Sequence, residues 1–378
     1  MPRRIKSKHQ HVATLEAEMV RHVRAHGGVS RVQLARALKL SPSTAGIYVD
    51  RLIREDFLLE TAAAAGRDGA GRPPTALVPN PDGGRFIGVD FEARNLMATV
   101  VDFSQQPLRQ VHETLCPSDS KAKILTKIER AIDEMLTGDA RHVLGIGVGV
   151  PGAIDTVANV AMHYPFIKDW RDVPLGARLH ERFGVPVFLE NNIRSMALAE
   201  LWFGAGRNSQ NFVCIGIRSG VAAGVVVDGR LLHGAQRRAG EIGHWICPGA
   251  KPERLEHVAS LSAIAAAAQR SRRRSVTADE VLAAARDGNK WALTLVRDVG
   301  RVHGWVAHQL NELFNPEKII FAGPLADLGD LFLAPVRETA GELGDPGRMP
   351  CIVSSTLGQY NGAVGAAALA LHQWKPKR

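Results

Sequence analysis

The side chains best suited to recognition chemistry in this 378-residue chain are hydroxyls and guanidinium groups gathered near its start. Ser43, Thr44 and Tyr48 head a short segment that opens with small polar residues, and Arg51, Arg67 and Arg72 follow. Such groups donate to phosphates and to base edges. Residues 1–80 hold 13 Lys and Arg against 7 Asp and Glu, a net +6, which leaves only +3 of the chain's +9 for the other 298 residues. A basic segment on a near-neutral body predicts a polyanionic partner, because counterion release from neutralised phosphates supplies most of the affinity for DNA. The cysteines argue against metal and disulfide chemistry. Cys116, Cys214, Cys247 and Cys351 lie far apart with no CxxC pair, which predicts reduced thiols and no cysteine-rich metal site.

The elements that position the N-terminal groups follow from local signals. In ATLEAEMVRHVRAH, Leu15, Met19, Val20 and Val23 recur at helical spacing, and Gly27-Gly28 ends the pattern. Ser30 with Gln33 three residues on forms a capping box for a second helix. After Leu38-Lys39-Leu40, Ser41 can cap a third helix with Pro42 at its first position, and Ile47, Leu52 and Ile53 are expected to face inward. Two short helices joined by a tight turn predict a helix-turn-helix, whose recognition helix would direct Ser43, Thr44 and Tyr48 at the major groove. The stretch FLLETAAAAGRDGAGRPPTALVP then predicts a strand, a Gly-rich loop and a strand, a β-wing. Within it, Gly71-Arg72-Pro73 offers an arginine to the narrow minor groove of A·T-rich DNA. PNPDGG predicts a linker near residue 83.

The whole chain, 45% hydrophobic and 22% charged, is not generally disordered, and it is long enough for further domains beyond this one. It has no run of eighteen apolar residues, and its basic start leads into ATLEAEMV, with two glutamates where a signal peptide is apolar, so a cytoplasmic protein without a membrane partner is expected. From residue 85, RFIGVDF and LMATVVDF predict a hairpin, SKAKILTKIERAIDEML an amphipathic helix, and HVLGIGVGVPGAID a buried strand entering a Gly-Pro turn. NFVCIGIRSGVAAGVVVDGRLL repeats the hairpin theme. Two such halves facing a cleft predict the duplicated actin-like (ribonuclease H-like) α/β fold.

The motifs FIGVDF (86–91), GIGVGVPGAID (145–155), VFLENNIRSMALAELWFGAGR (187–207), GRLLHGAQRRAGEIGHW (229–245), RLEHVAS (254–260) and NPEKIIFAGPLA (315–326) run in the order of one known family. Through them the chain resembles the ROK family of repressors, open reading frames and sugar kinases, and its N-terminal region is similar to that of the family's regulators. The resemblance implies a winged helix-turn-helix over 1–82, a smaller lobe over 83–195 with 361–378, and a larger lobe over 196–360. It implies a sugar or sugar derivative held by Asn191, Asn192, Glu241, His244 and Glu256. It implies a homodimer, or a dimer of dimers, on duplex DNA.

Three departures from the family pattern argue against catalysis, so no catalytic residue and no cofactor are expected. The loop after the first strand, Asp90-Phe91-Glu92-Ala93-Arg94, has no glycine to admit ATP phosphates. The family's Asn-Asp pair, whose aspartate deprotonates the sugar hydroxyl, reads Asn191-Asn192 here, and an amide cannot act as that base. The second phosphate loop, Arg218-Ser219-Gly220-Val221-Ala222-Ala223, matches only in part. The family's zinc site, a histidine followed by three cysteines, is cut to His244 and Cys247, so no zinc is expected. The alternative is an ATP-dependent sugar kinase with an appended DNA-binding domain.

Overall fold

Ser30 and Ser41 stop two loops by accepting hydrogen bonds from backbone N–H groups that a helix start leaves unpaired, Gln33 N at 3.2 Å and Thr44 N at 3.1 Å. The computed structural model describes residues 8–62, 75–116, 118–137, 142–248 and 251–377. In it α1 (Lys8–His26), α2 (Arg31–Ala37) and α3 (Pro42–Arg54) precede an antiparallel pair, β1 (Leu58–Ala62) and β2 (Thr75–Pro79). The Ser30–Gln33 capping box is complete in both directions. The loop joining β1 to β2, with Arg67, Arg72 and the Gly71-Arg72-Pro73 turn, lies outside the described residues.

One expectation for α3 is corrected. Ile47 is 61% exposed; the inward residues are Ala45, Val49 and Leu52, at i, i+4 and i+7, and Ile47 falls off that stripe.

The body holds two five-stranded sheets. In the first, β3 (Arg85–Phe91), β4 (Asn95–Asp102) and β5 (Pro107–Thr114) form an antiparallel meander. After α4 (Lys121–Leu136), β6 (Val143–Val150) pairs parallel to β3. A small sheet of β7 (Ala153–Asp155), β8 (Val160–His163) and β9 (Arg171–Val173) follows, then α5 (Leu175–Phe183) and β10 (Val187–Asn191), giving the order β10-β6-β3-β4-β5. Helix α6 (Asn192–Trp202) leads to the second sheet, which opens with β11 (Phe212–Ile217), β12 (Val221–Val227) and β13 (Arg230–Leu231). A two-stranded hairpin, β14 (Ile246–Cys247) with β15 (Glu253–Arg254), precedes α7 (Leu255–Ala259), α8 (Leu261–Arg272), α9 (Ala278–Arg286) and α10 (Lys290–Phe314). Then β16 (Lys318–Ala322), α11 (Asp330–Leu343) and β17 (Cys351–Ser354) complete the order β13-β12-β11-β16-β17. This is the two-lobed actin-like α/β plan, with matching meanders at the head of each sheet.

The last helix, α12 (Asn361–Gln373), crosses back onto the first sheet and onto α6. The approach is backbone to backbone: a Cβ built on Gly365 would stand 1.8 Å from the Ser195 carbonyl, and one on Gly147 1.8 Å from that of Ala366. Its far end joins the N-terminal domain to the body, since Met19, Val23, Leu34 and Leu52 share one core with Phe86, Phe103, Leu371 and Trp374. The Arg24 guanidinium of α1 is buried in that junction, 3.9 Å over the Phe103 ring, with Nε donating to the Phe103 carbonyl at 3.0 Å. Burial, helped by Arg21, pulls its pKa down to about 9 against the pull of Asp102. No helix among the described residues is long and apolar enough to cross a membrane.

Candidate functional site

At the N-terminal end, Ser43 is exposed and Thr44 half-buried, and both hydroxyls lie within hydrogen-bond distance of Ser41 Oγ, at 3.0 and 2.7 Å. Tyr48 is half-buried, with the Arg51 guanidinium 5.7 Å from its ring centroid. Arg51 reaches back to the buried Glu16 at 3.3 Å, so part of its charge serves the fold rather than an outside anion. Arg31 is held by Asp50 and Glu60. Ile47 adds an exposed apolar group to the helix that carries Ser43 and Thr44. Such a group suits the thymine methyl, which hydrogen-bonding residues do not read.

Between the lobes lies a cavity of about 610 Å³, and Asn191, Asn192, Glu241, His244 and Glu256 all line it. The two asparagines come from the junction of β10 and α6. Asn191 caps α6, its Oδ1 accepting from Ile193 N at 3.0 Å and Arg194 N at 3.2 Å while Nδ2 donates to the Gly152 carbonyl at 3.2 Å. That leaves Asn191 one amide hydrogen to offer a ligand. Glu241, His244 and Glu256 come from the second lobe. Gly240 makes their turn possible: its φ is +89°, and a Cβ there would meet the Ala223 carbonyl at 1.8 Å. Glu241 and Glu256 are half-buried and His244 is exposed, so all three reach the cavity from a wall in contact with solvent.

Behind the asparagines, Glu190 accepts from Arg194 Nε at 2.7 Å and contacts His233 Nε2 at 2.9 Å. Burial works against the Glu190 charge, but His233 and Arg194 outweigh it and lower its pKa.

The sequence offered no sign of what joins the lobes at the closed end of the cleft. Asp90, at the end of β3, faces Arg218 in the turn after β11, with Oδ2 2.6 Å from Nη2; Asp90 is buried and the Arg218 side chain is 12% exposed. Beside them Glu92 Oε2 accepts from Ser219 N at 3.3 Å and from Ser219 Oγ at 3.1 Å. Burial opposes the Arg218 cation, yet Asp90 and Glu92 outweigh it, so its pKa stands above the ordinary value. Tyr164 adjoins this group, and burial with the Glu92 charge pushes its hydroxyl well up, so it stays protonated at neutral pH. The two loops that resemble phosphate loops are thus tied to each other by their own side chains.

For zinc the residues do not fit. Cys247 lies in the short β14–β15 hairpin, and burial followed by Glu253 raises its thiol pKa, which disfavours the thiolate a metal needs. Among the described residues no three His, Cys, Asp or Glu side chains converge as metal ligands. Elemental analysis of untagged protein is expected to find well under one zinc per chain, with a melting temperature indifferent to chelators. A stoichiometric zinc lost in His244→Ala would contradict this.

Comparison with known proteins agrees with this geometry. The ROK family profile matches residues 86–373. The chain is 26% identical over 337 residues to the xylose repressor of Caldicellulosiruptor bescii, covering 83% of this chain and 84% of that protein. It is 30% identical over 278 residues to a glucokinase of Halalkalibacterium halodurans, covering 67% and 84%. The crystal structure of a ROK family transcriptional regulator, a homolog of the Escherichia coli Mlc protein, superposes with a TM-score of 0.81 at 24% identity, covering 96% of each chain.

Proposed function

Because this chain belongs to the ROK family, we propose that it is a sequence-specific DNA-binding transcriptional regulator, a repressor of carbohydrate genes, governed by a sugar in the interlobe cleft and without kinase activity. Residues 1–82 bind DNA; 83–195 with 361–378, and 196–360, form the two lobes of the sensor. The observation that carries this reading is the Asp90–Arg218 and Glu92–Ser219 tie, because it fills with charged side chains the place where a kinase must admit phosphates. Asn192 in place of a carboxylate supports it, since no general base stands there. A relative named xylose repressor supports the regulator class and a sugar effector.

Coupling runs through α6 and α12. Asn191, on the cleft wall, caps α6; α6 packs on α12; and α12 carries Leu371 and Trp374 into the core shared with the DNA-binding helices. The Trp202 ring at the end of α6 stacks on His372 at 4.8 Å, and the His372 carbonyl accepts from Arg21 of α1. A sugar that prefers one lobe arrangement shifts this chain of contacts, and one that binds both equally shifts nothing. A homodimer places two recognition helices on two half-sites.

Calorimetric titration of a hexose, pentose and N-acetylhexosamine panel tests the assignment. At least one sugar is expected to bind. Glu241→Ala leaves its hydroxyls unpaired and costs about 1–3 kcal/mol, roughly a ten- to hundredfold rise in Kd. ATP is expected to add nothing. Equal heats for wild type and variant would remove Glu241 from the site, and ADP release with any sugar would move the chain to the kinase side of its family, where the glucokinase relative stands.

A further inference from the structure

The five hydroxyl-binding candidates occupy only part of the cleft. A hexose has about a dozen non-hydrogen atoms; even at the roughly 30 Å³ that a water takes in the liquid, it fills about 360 Å³ of the 610 Å³ cavity. The spare volume is not open to nucleotide phosphates, because Asp90, Glu92, Arg218 and Ser219 bind one another at that end. One stretch of its wall is apolar, and Arg237 and Arg238 line the cavity as well. Met162, at 39% exposure, and Phe166, at 46%, line the cavity together with Ile154 and Pro165. The Phe166 ring is braced by Tyr164, with centroids 5.4 Å apart, and Tyr164 is itself buried in the first-lobe core. A braced, half-exposed aromatic ring beside hydroxyl-binding groups is the arrangement of a pocket that takes a ligand with one polar and one apolar part.

The apolar part lies on one lobe and the polar part on both. Met162 and Phe166 belong to the β8 strand of the first lobe and the loop after it, as do Asn191 and Asn192 to the end of β10 and the start of α6, whereas Glu241, His244 and Glu256 belong to the second lobe. Resting on the reading of the cleft as a sugar site, we propose that the effector is a sugar bearing an apolar substituent, a glycoside or comparably substituted sugar, whose substituent packs on Phe166 and Met162. Such a ligand adds an apolar contact on the first lobe to the bridge that the ring makes through Asn191 and Asn192, and so holds the lobes in one arrangement more strongly than a bare sugar does. The difference in contact between open and closed lobes is what lets a ligand shift the equilibrium.

The test is titration of the full-length protein with glucose, xylose and N-acetylglucosamine, and with the phenyl α- and β-glycosides of each. At least one phenyl glycoside is expected to bind about tenfold or more tightly than its parent sugar. Phe166→Ser is expected to erase that advantage while leaving the parent sugar within about twofold of wild type, and Phe166→Tyr to restore it. Phe166 is half-exposed, so the serine variant should fold, and its melting temperature checks this. Equal affinity of glycosides and parent sugars overturns the proposal, as does an equal loss of both in Phe166→Ser. So does a change in oligomeric mass of that variant with binding untouched, which would mean that a second copy covers the ring. If neither sugars nor glycosides bind, the sugar-site reading itself falls.

Discussion

Replacing Arg218 by alanine is expected to lower the stability of the protein by about 3–5 kcal/mol, the cost of removing one partner from a buried ion pair. Asp90 is 1% exposed, and burial already raises its pKa with Arg218 in place, so without the guanidinium it stands beside Glu92 as either an unpaired buried charge or a carboxyl forced to take up a proton. Both Asp90 oxygens are buried and outside hydrogen-bond geometry, leaving the close charge contact with Arg218 as their compensation, and a Cβ on Gly362 would come within 2.4 Å of the carboxylate, so that side of the site is tightly packed. The double variant Asp90→Asn with Arg218→Met removes both charges and keeps most of the volume. It is expected to recover most of the loss, since replacing a buried pair by groups of similar shape is often neutral. Chemical denaturation of the three proteins, followed by a signal from the body, measures both effects. A loss under about 1 kcal/mol in Arg218→Ala would mean that the pair is hydrated and does not tie the lobes. The same variant should gain no affinity for ATP, because Glu92 still lines the cavity where phosphates would need bare backbone.

Operator affinity is expected to fall by about a thousandfold or more between 50 and 200 mM salt, the behaviour of a protein that neutralises several phosphates. The net +6 of residues 1–80 is the source of this dependence. Exposed Arg36, Lys39 and Arg54 are available for it, whereas Arg31 and Arg51 are held by acidic neighbours and contribute less. Ser43→Asp sets a negative charge on the exposed start of α3 and should abolish operator binding at physiological salt while leaving the melting temperature near that of wild type. Ile47→Ala should cost about 0.8 kcal/mol for each methyl or methylene withdrawn from contact with a single base pair and leave the salt slope unchanged. Electrophoretic mobility shift across a salt series, on a site obtained by genomic selection, reads all three. A flat salt dependence, or wild-type affinity in Ser43→Asp, would end the DNA-binding assignment of these helices.

The sequence by itself determined every element whose cause is local. Ser30 with Gln33, and Ser41 with Pro42, mark helix starts because a cap and the N–H it satisfies lie within three residues. FIGVDF and LMATVVDF announce a hairpin because apolar runs and the break between them are read along the chain. The ordered motifs from residue 86 onward made the family legible as well. Ile47 was misread because an isoleucine in a helix suggests burial, while the stripe that reaches the core is set by which side the body lies on. Whether Asn191 offers its amide to a ligand depended on the Gly152 carbonyl that receives it. The tie across the cleft was wholly a matter of tertiary structure. Glu92 and Ser219 are 127 residues apart, and neither carries any mark of the other. Caps and strands are decided by neighbours along the chain, but a buried charge is decided by whatever the folded sheets bring opposite it, and only the two lobes packed together supply that partner.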